Sequence, residues 1–167
     1  MQIGPLIDEI AARYGGGWPI ALQPYIDEGI TERHHSPEFA ALMQISDPFT
    51  YLATPLRGRL SVPKLVVNAS GDDFFPPDAA QSYLSALPGQ TSLYVAPNSD
   101  HNGIRAHVKQ TFVPFLRRIS SAVPLPRIDS AVVPTGGRYR FSAVSSEIPV
   151  DVHLWVAKTD VDRDFRF

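Results

Sequence analysis

Two short, wholly apolar runs punctuate a chain otherwise patterned for amphipathic helices. Leu65-Val66-Val67 follows Pro63, and Leu93-Tyr94-Val95-Ala96 follows Ser92; each is closed by turn residues. Runs of this length without polar alternation suit strands buried on both faces of a parallel sheet. Between them Pro77 to Leu87 reads as a helix ended by Pro88-Gly89. A crossover of that length returns the chain to the same end of the sheet. The two strands are therefore expected to be parallel neighbours with their C-terminal tips on one edge. Upstream, Leu6, Ile7, Ile10 and Ala11 fall at helical spacing until Gly15-Gly16-Gly17 stops them. Trp18 to Tyr25 is aromatic and Pro-broken, and Ile26 to Arg33 is polar. Ser36-Pro37-Glu38 opens a further helix, with Ser36 as N-cap and Pro37 at the first helical position. Phe39, Leu42, Met43 and Ile45 share its apolar face, and Asp47-Pro48 ends it. Val108 to Ile119 places Val108, Phe112, Val113, Phe115, Leu116 and Ile119 on another helical face, where Pro114 should kink the helix or reset its start.

The pattern changes at Ser120. Pro124, Pro126 and Pro134 suggest a linker or the entry to another layer. Short β-like pieces follow at Ala131–Val133 and Arg138–Val144, with Gly136-Gly137 as a hairpin turn between them. Val150 to Val156 alternates, with Val150, Val152, Leu154 and Val156 on one side and Asp151, His153 and Trp155 on the other. Such pieces suit the beginning of an antiparallel sandwich but are too few to close one.

Composition narrows the classes. Hydrophobic residues make up 44% of the 167 and charged residues 19%, which favours a packed core over wholesale disorder. A net charge of -2 offers no basic stripe, so neither nucleic acid nor an anionic membrane is the expected partner. Without cysteine there is no disulfide, thiolate nucleophile or cysteine-based zinc site. No apolar stretch approaches the roughly 18 residues of a membrane span. The polar, acidic start Met1 to Ile10 does not read as a signal peptide, and no cofactor is expected.

The candidate chemistry sits at the ends of the two apolar runs. The first passes through Asn68-Ala69-Ser70-Gly71 into Asp72-Asp73-Phe74-Phe75-Pro76-Pro77-Asp78, and the second into Pro97-Asn98-Ser99-Asp100-His101. An imidazole held by a carboxylate can be built from two such strand ends. The spacing matches the last two members of an α/β-hydrolase triad, in the order nucleophile, acid, histidine. Asp72 is the expected acid and His101 the expected general base. Asp73 is the alternative acid, either aspartate could merely cap the helix near Pro77, and His101 could be a loop histidine with local hydrogen bonds. Asp78 belongs to the first turn of that helix. No Gly-x-Ser-x-Gly occurs in the chain. Ser70 lies on the acid's own loop without that context and is not the nucleophile. His34-His35 lies in a polar loop without a matching Glu, Asp or third His at ligand spacing, and reads as a solvated pair rather than metal ligands. Trp18, Tyr25 and Phe39 could line a substrate pocket, although packing is the default for such aromatics.

Several segments together resemble a known family. They are Tyr14 to Tyr25, Pro37 to Pro48, Pro63 to Phe75, Pro97 to His101, Leu154-Trp155-Val156-Ala157 and Arg163-Asp164-Phe165-Arg166. In this order they resemble the PhoPQ-activated pathogenicity-related proteins, a family that includes the autocrine proliferation repressors. The resemblance implies the C-terminal portion of an α/β-hydrolase fold over residues 1–121. Residues 1–60 would then be a cap or helical region, and 61–121 the last strands and helices of a parallel sheet. Residues 122–167 would be a partial antiparallel β-sandwich-like appendage. Family members are often exported and would act on a small ester or peptide substrate as serine hydrolases. The place where the family carries its nucleophile-bearing strand-turn-helix would lie upstream of Met1, so a truncated and by itself inactive hydrolase relative is expected. Exposed sheet edges would favour self-association. The competing expectation is a non-catalytic secreted signalling or binding protein on a hydrolase fold.

Overall fold

The computed structural model describes residues 3–158. They form a mixed α/β protein with one parallel and one antiparallel strand pair. They divide into two units, the first reaching to Phe112 and the second running Val113–Val156.

In the first unit, α1 (Ile3–Arg13) ends where Gly15 and Gly16 take φ angles of 65° and 86°. The Gly16 N–H reaches the Ala11 carbonyl at 2.7 Å, and the Gly15 N–H reaches that of Ala12 at 3.4 Å. The last carbonyls of the helix are thus satisfied by a left-handed turn that glycine enters without strain. Two short helices follow, α2 (Gln23–Asp27) and α3 (Ile30–Arg33). α4 (Pro37–Ser46) starts on Ser36, whose Oγ accepts the Phe39 N–H at 3.1 Å. Asp47 ends it and caps the next 3₁₀ turn by accepting the Phe49 N–H at 2.9 Å. A core cluster of Ile10, Leu22 and Ala79 gathers Tyr14, Trp18, Phe74 and Phe75 around it. Through that cluster α1 seats the loop that follows the first strand.

β1 (Lys64–Ala69) and β2 (Thr91–Ala96) pair in parallel, Lys64 opposite Thr91 and Ala69 opposite Ala96. Their connection departs from the expected α-helix: Pro77–Ser82 and Leu84–Ala86 are 3₁₀ turns, interrupted at Tyr83. The cause is local competition for backbone groups. Asn68 Nδ2 donates to the Pro77 carbonyl at 3.2 Å and Ser82 Oγ to that of Ala79 at 2.7 Å. Carbonyls engaged by side chains are drawn away from an i→i−4 ladder.

Gly89 fixes where β2 enters. Its φ is 77°, and a Cβ there would lie 2.2 Å from the Ser61 carbonyl oxygen. The next residue, Gln90, accepts the Lys64 N–H at 2.9 Å and begins the register. Gly89→Ala is therefore expected to cost about 2 kcal/mol or more. Left-handed backbone with a Cβ accounts for roughly 1–2 kcal/mol of this, and the backbone shift adds to it. Urea denaturation measures this, and a change below about 0.5 kcal/mol would contradict the entry geometry.

α5 (Arg105–Ser120) runs unbroken through Pro114, which neither ends it nor resets its start. The missing N–H leaves one carbonyl, that of Gln110, without its intrahelical donor. No residue of α5 is buried, so water can satisfy that carbonyl. No helix among the described residues is long and apolar enough to cross a membrane.

In the second unit β3 (Ile128–Thr135) and β4 (Arg138–Ser145) form an antiparallel hairpin. Gly136 and Gly137 turn it with φ angles of 55° and 77°, the sign pattern of a two-residue hairpin loop. Arg118 grips Glu147 with two bonds of 2.7 and 2.6 Å, and that donor pair holds the glutamate carboxyl below its ordinary range. Val150–Val156 forms no strand despite its alternation. Alternation marks a strand only where a neighbouring edge takes up the backbone groups. The Arg163–Arg166 motif lies outside the described residues.

Candidate functional site

Parallel pairing sets Ala69 and Ala96, both fully buried, side by side at the C-terminal ends of β1 and β2. Beyond them the two loops are stitched together. The Ser70 N–H donates to the Ala96 carbonyl at 2.9 Å and the Gly71 N–H to the Ser99 carbonyl at 2.8 Å. Asp72 therefore leaves the first loop directly against the second. Its side chain is only 5% exposed. Oδ1 accepts the backbone N–H groups of Phe74 at 2.9 Å and Phe75 at 2.8 Å. Oδ2 lies 3.0 Å from His101 Nδ1. A carboxylate only accepts, so Nδ1 is the donor, and the neutral ring is left with its lone pair on Nε2.

The histidine loop is shaped by small, tight contacts. Asn98 sits at φ 48°, a left-handed position asparagine tolerates. Asp100 Oδ1 accepts the Gly103 N–H at 2.6 Å. A Cβ on Gly103 would stand 3.0 Å from Ser99 Oγ and 3.1 Å from Asp100 Oδ1. His101 is thereby projected toward Asp72, between Phe74 and Phe75 at ring-centroid distances of 5.8 and 5.7 Å. Its side chain stays 50% exposed and lines a cleft of about 410 Å³ together with Asn68, Tyr83, Asn102 and Arg105. No described residue bonds its Nε2. Burial raises the Tyr83 pKa above the ordinary tyrosine value, so the phenol stays a proton donor in that cleft. An imidazole oriented from one nitrogen and open at the other can take a proton from a hydroxyl presented there.

Of the two candidate acids, Asp72 is the one whose carboxylate meets His101. It also caps, but not at Pro77: the position before that turn is Pro76 and makes no side-chain cap. The capped turn is its own, at Phe74 and Phe75. Asp78 lies in the first 3₁₀ turn and pairs with Arg13. Trp18 goes to packing, whereas Tyr25 and Phe39 line an apolar cavity of about 600 Å³ with Phe74 and Phe75. The reading of His34-His35 as a solvated pair fails for His34, whose side chain is 10% exposed and meets Asp8. That partner lies 26 positions upstream, on α1, where no local spacing rule would find it. Asn68 and Tyr83 were also missed as cleft residues. The one signal for Asn68 was a lone polar residue closing an apolar run.

The match to a family model, that of the PhoPQ-activated pathogenicity-related protein, extends over residues 1–166. The chain belongs to that family. This PhoPQ-related chain is also 29% identical over 172 residues to autocrine proliferation repressor protein A of Dictyostelium discoideum, covering 90% of the chain and 32% of that protein. It thus spans about a third of that relative's length. No solved structure matches it.

Proposed function

We propose that this chain contributes the acid and base of a Ser-Asp-His acyl-transfer site on an α/β-hydrolase fold. Asp72 orients His101, and His101 Nε2 activates a serine that the 167 residues do not themselves supply. The observation that carries this reading is the 3.0 Å bond from His101 Nδ1 to a buried Asp72 whose other carboxylate oxygen accepts two backbone N–H groups. It lies where a parallel pair delivers its strand ends. The chain order fits, no Gly-x-Ser-x-Gly elbow occurs here, and the curated relative is about three times longer.

The serine attacks an ester or amide carbonyl while His101 accepts its proton on Nε2. The same proton then passes to the leaving group, and Asp72 balances the imidazolium between the two transfers. One oxyanion donor comes with the turn that bears the serine, the other from an earlier loop of the same fold. A small ester or peptide is the substrate class, and the apolar cavity that shares Phe75 with the cleft suits an apolar acyl portion.

A fluorophosphonate probe tests this, because it labels only a serine activated by a base and an oxyanion hole. The bare chain is expected to stay unlabelled. The chain extended by the upstream half of a longer family member is expected to label at the elbow serine. Labelling of the bare chain at a single serine would overturn the reading. The relative's name, a proliferation repressor, favours a second reading: a non-catalytic secreted signalling or binding protein on the same fold. That reading expects no labelling of the extended chain either.

A further inference from the structure

Away from the Asp72–His101 cleft, three metal-ligating side chains meet on the helical region. Asp8 on α1 presents Oδ1 to His34 Nε2 at 2.8 Å and to His35 Nε2 at 3.2 Å. All three donor atoms lie within 4.8 Å of one another. None of the three residues lines the cleft of about 410 Å³, so this cluster is separate from the proposed catalytic pair.

The hydrogen bonding gives the cluster its direction. His34 Nδ1 sits 2.5 Å from the Thr31 carbonyl oxygen. A carbonyl only accepts, so Nδ1 carries the proton, and the Nε2 of a neutral ring is left with a lone pair. That lone pair points at a carboxylate oxygen, which also only accepts. Two acceptors at 2.8 Å repel unless a positive charge lies between them, and His35 brings a third donor atom to the same oxygen. A ligating histidine whose other nitrogen donates to a backbone carbonyl is the outer-shell pattern of metal sites. The edges of a tetrahedral zinc site are about 3.3 Å, given Zn–N and Zn–O bonds of about 2.0–2.2 Å. The observed separations of 2.8 and 3.2 Å therefore need to open by only a few tenths of an ångström.

We propose that Asp8, His34 and His35 bind a divalent transition-metal ion, zinc by the match of two imidazoles and one carboxylate. His34 is its buried anchor, with its side chain 10% exposed, and His35 at 72% and Asp8 at 51% leave a coordination position open to water. The ion ties α1 to the turn after α3. The alternative source of positive charge is protonation of the imidazoles alone.

Zinc chloride titrated into the chelator-treated 167-residue chain, followed by calorimetry, decides between them; cobalt substitution reports the geometry by its visible absorption. One equivalent of zinc is expected. His35→Ala should weaken binding about tenfold or more, and Asp8→Asn should do the same. His153→Ala, at the separate exposed pair with Asp151, should leave binding unchanged. His35 is largely exposed, so its removal leaves the fold in place, and it decides the matter if Asp8→Asn fails to fold. Absence of zinc binding by the unsubstituted chain, or affinity unchanged in His35→Ala, would overturn the proposal; persistent binding in that variant would be an adventitious ion only.

Discussion

His101→Ala in the serine-complemented protein is expected to lower kcat/KM by about 10⁶-fold, the scale on which losing one member of such a triad removes the whole unit. The fold should survive, because the side chain is half exposed. Asp72→Asn is expected to cost about 10⁴-fold by a different route. The amide oxygen can still accept the Phe74 and Phe75 N–H groups, while its NH₂ group faces Nδ1 and forces the proton to Nε2, where a base cannot have it. Asp72→Ala should do the same and also destabilise the protein. It leaves two N–H groups at a 7% exposed residue without their acceptor, worth about 1–3 kcal/mol for each buried group that finds no other. Ester kinetics beside urea melts separate the two effects. Activity of Asp72→Asn within tenfold of the parent would remove Asp72 from the orienting role.

The 167-residue chain alone should self-associate. Among the described residues the parallel sheet has two strands only, so each strand has an unpaired edge. On β2, Leu93 and Val95 are 43% and 40% exposed, and on α5, Phe112 and Leu116 are each 45% exposed. Open edges beside exposed apolar side chains template association between copies. Size-exclusion chromatography should show species larger than a monomer, and near-ultraviolet dichroism should show weak aromatic signals. A sharp monomer with strong aromatic dichroism would contradict this.

How much was legible followed from how local each feature is. The parallel pair was readable because Leu65–Val67 and Leu93–Ala96 are apolar without alternation, and the connection between them is long enough only for a crossover. Ser36-Pro37 and Gly136-Gly137 were readable because a cap and a hairpin turn are set by a few adjacent residues. The Pro77–Leu87 stretch was misread because the competition that makes it 3₁₀ comes partly from Asn68, on the preceding strand. Val150–Val156 was misread because alternation records which side chains prefer water, not whether a neighbouring strand exists. The pairing of Asp72 with His101 could be expected from strand-end geometry. The meeting of Asp8 with His34 could not, since it depends on how α1 packs beside the α3 turn.

The tautomer of His101 tests the central claim most directly, since it reports the Asp72 bond without any serine or substrate. Nitrogen-15 and proton spectra of the ring at neutral pH should show the proton on Nδ1, in a downfield resonance that disappears in Asp72→Asn, with Nε2 free of hydrogen. A proton on Nε2 in the parent protein, or a ring unaffected by Asp72→Asn, would contradict the assignment of Asp72 and His101 as acid and base.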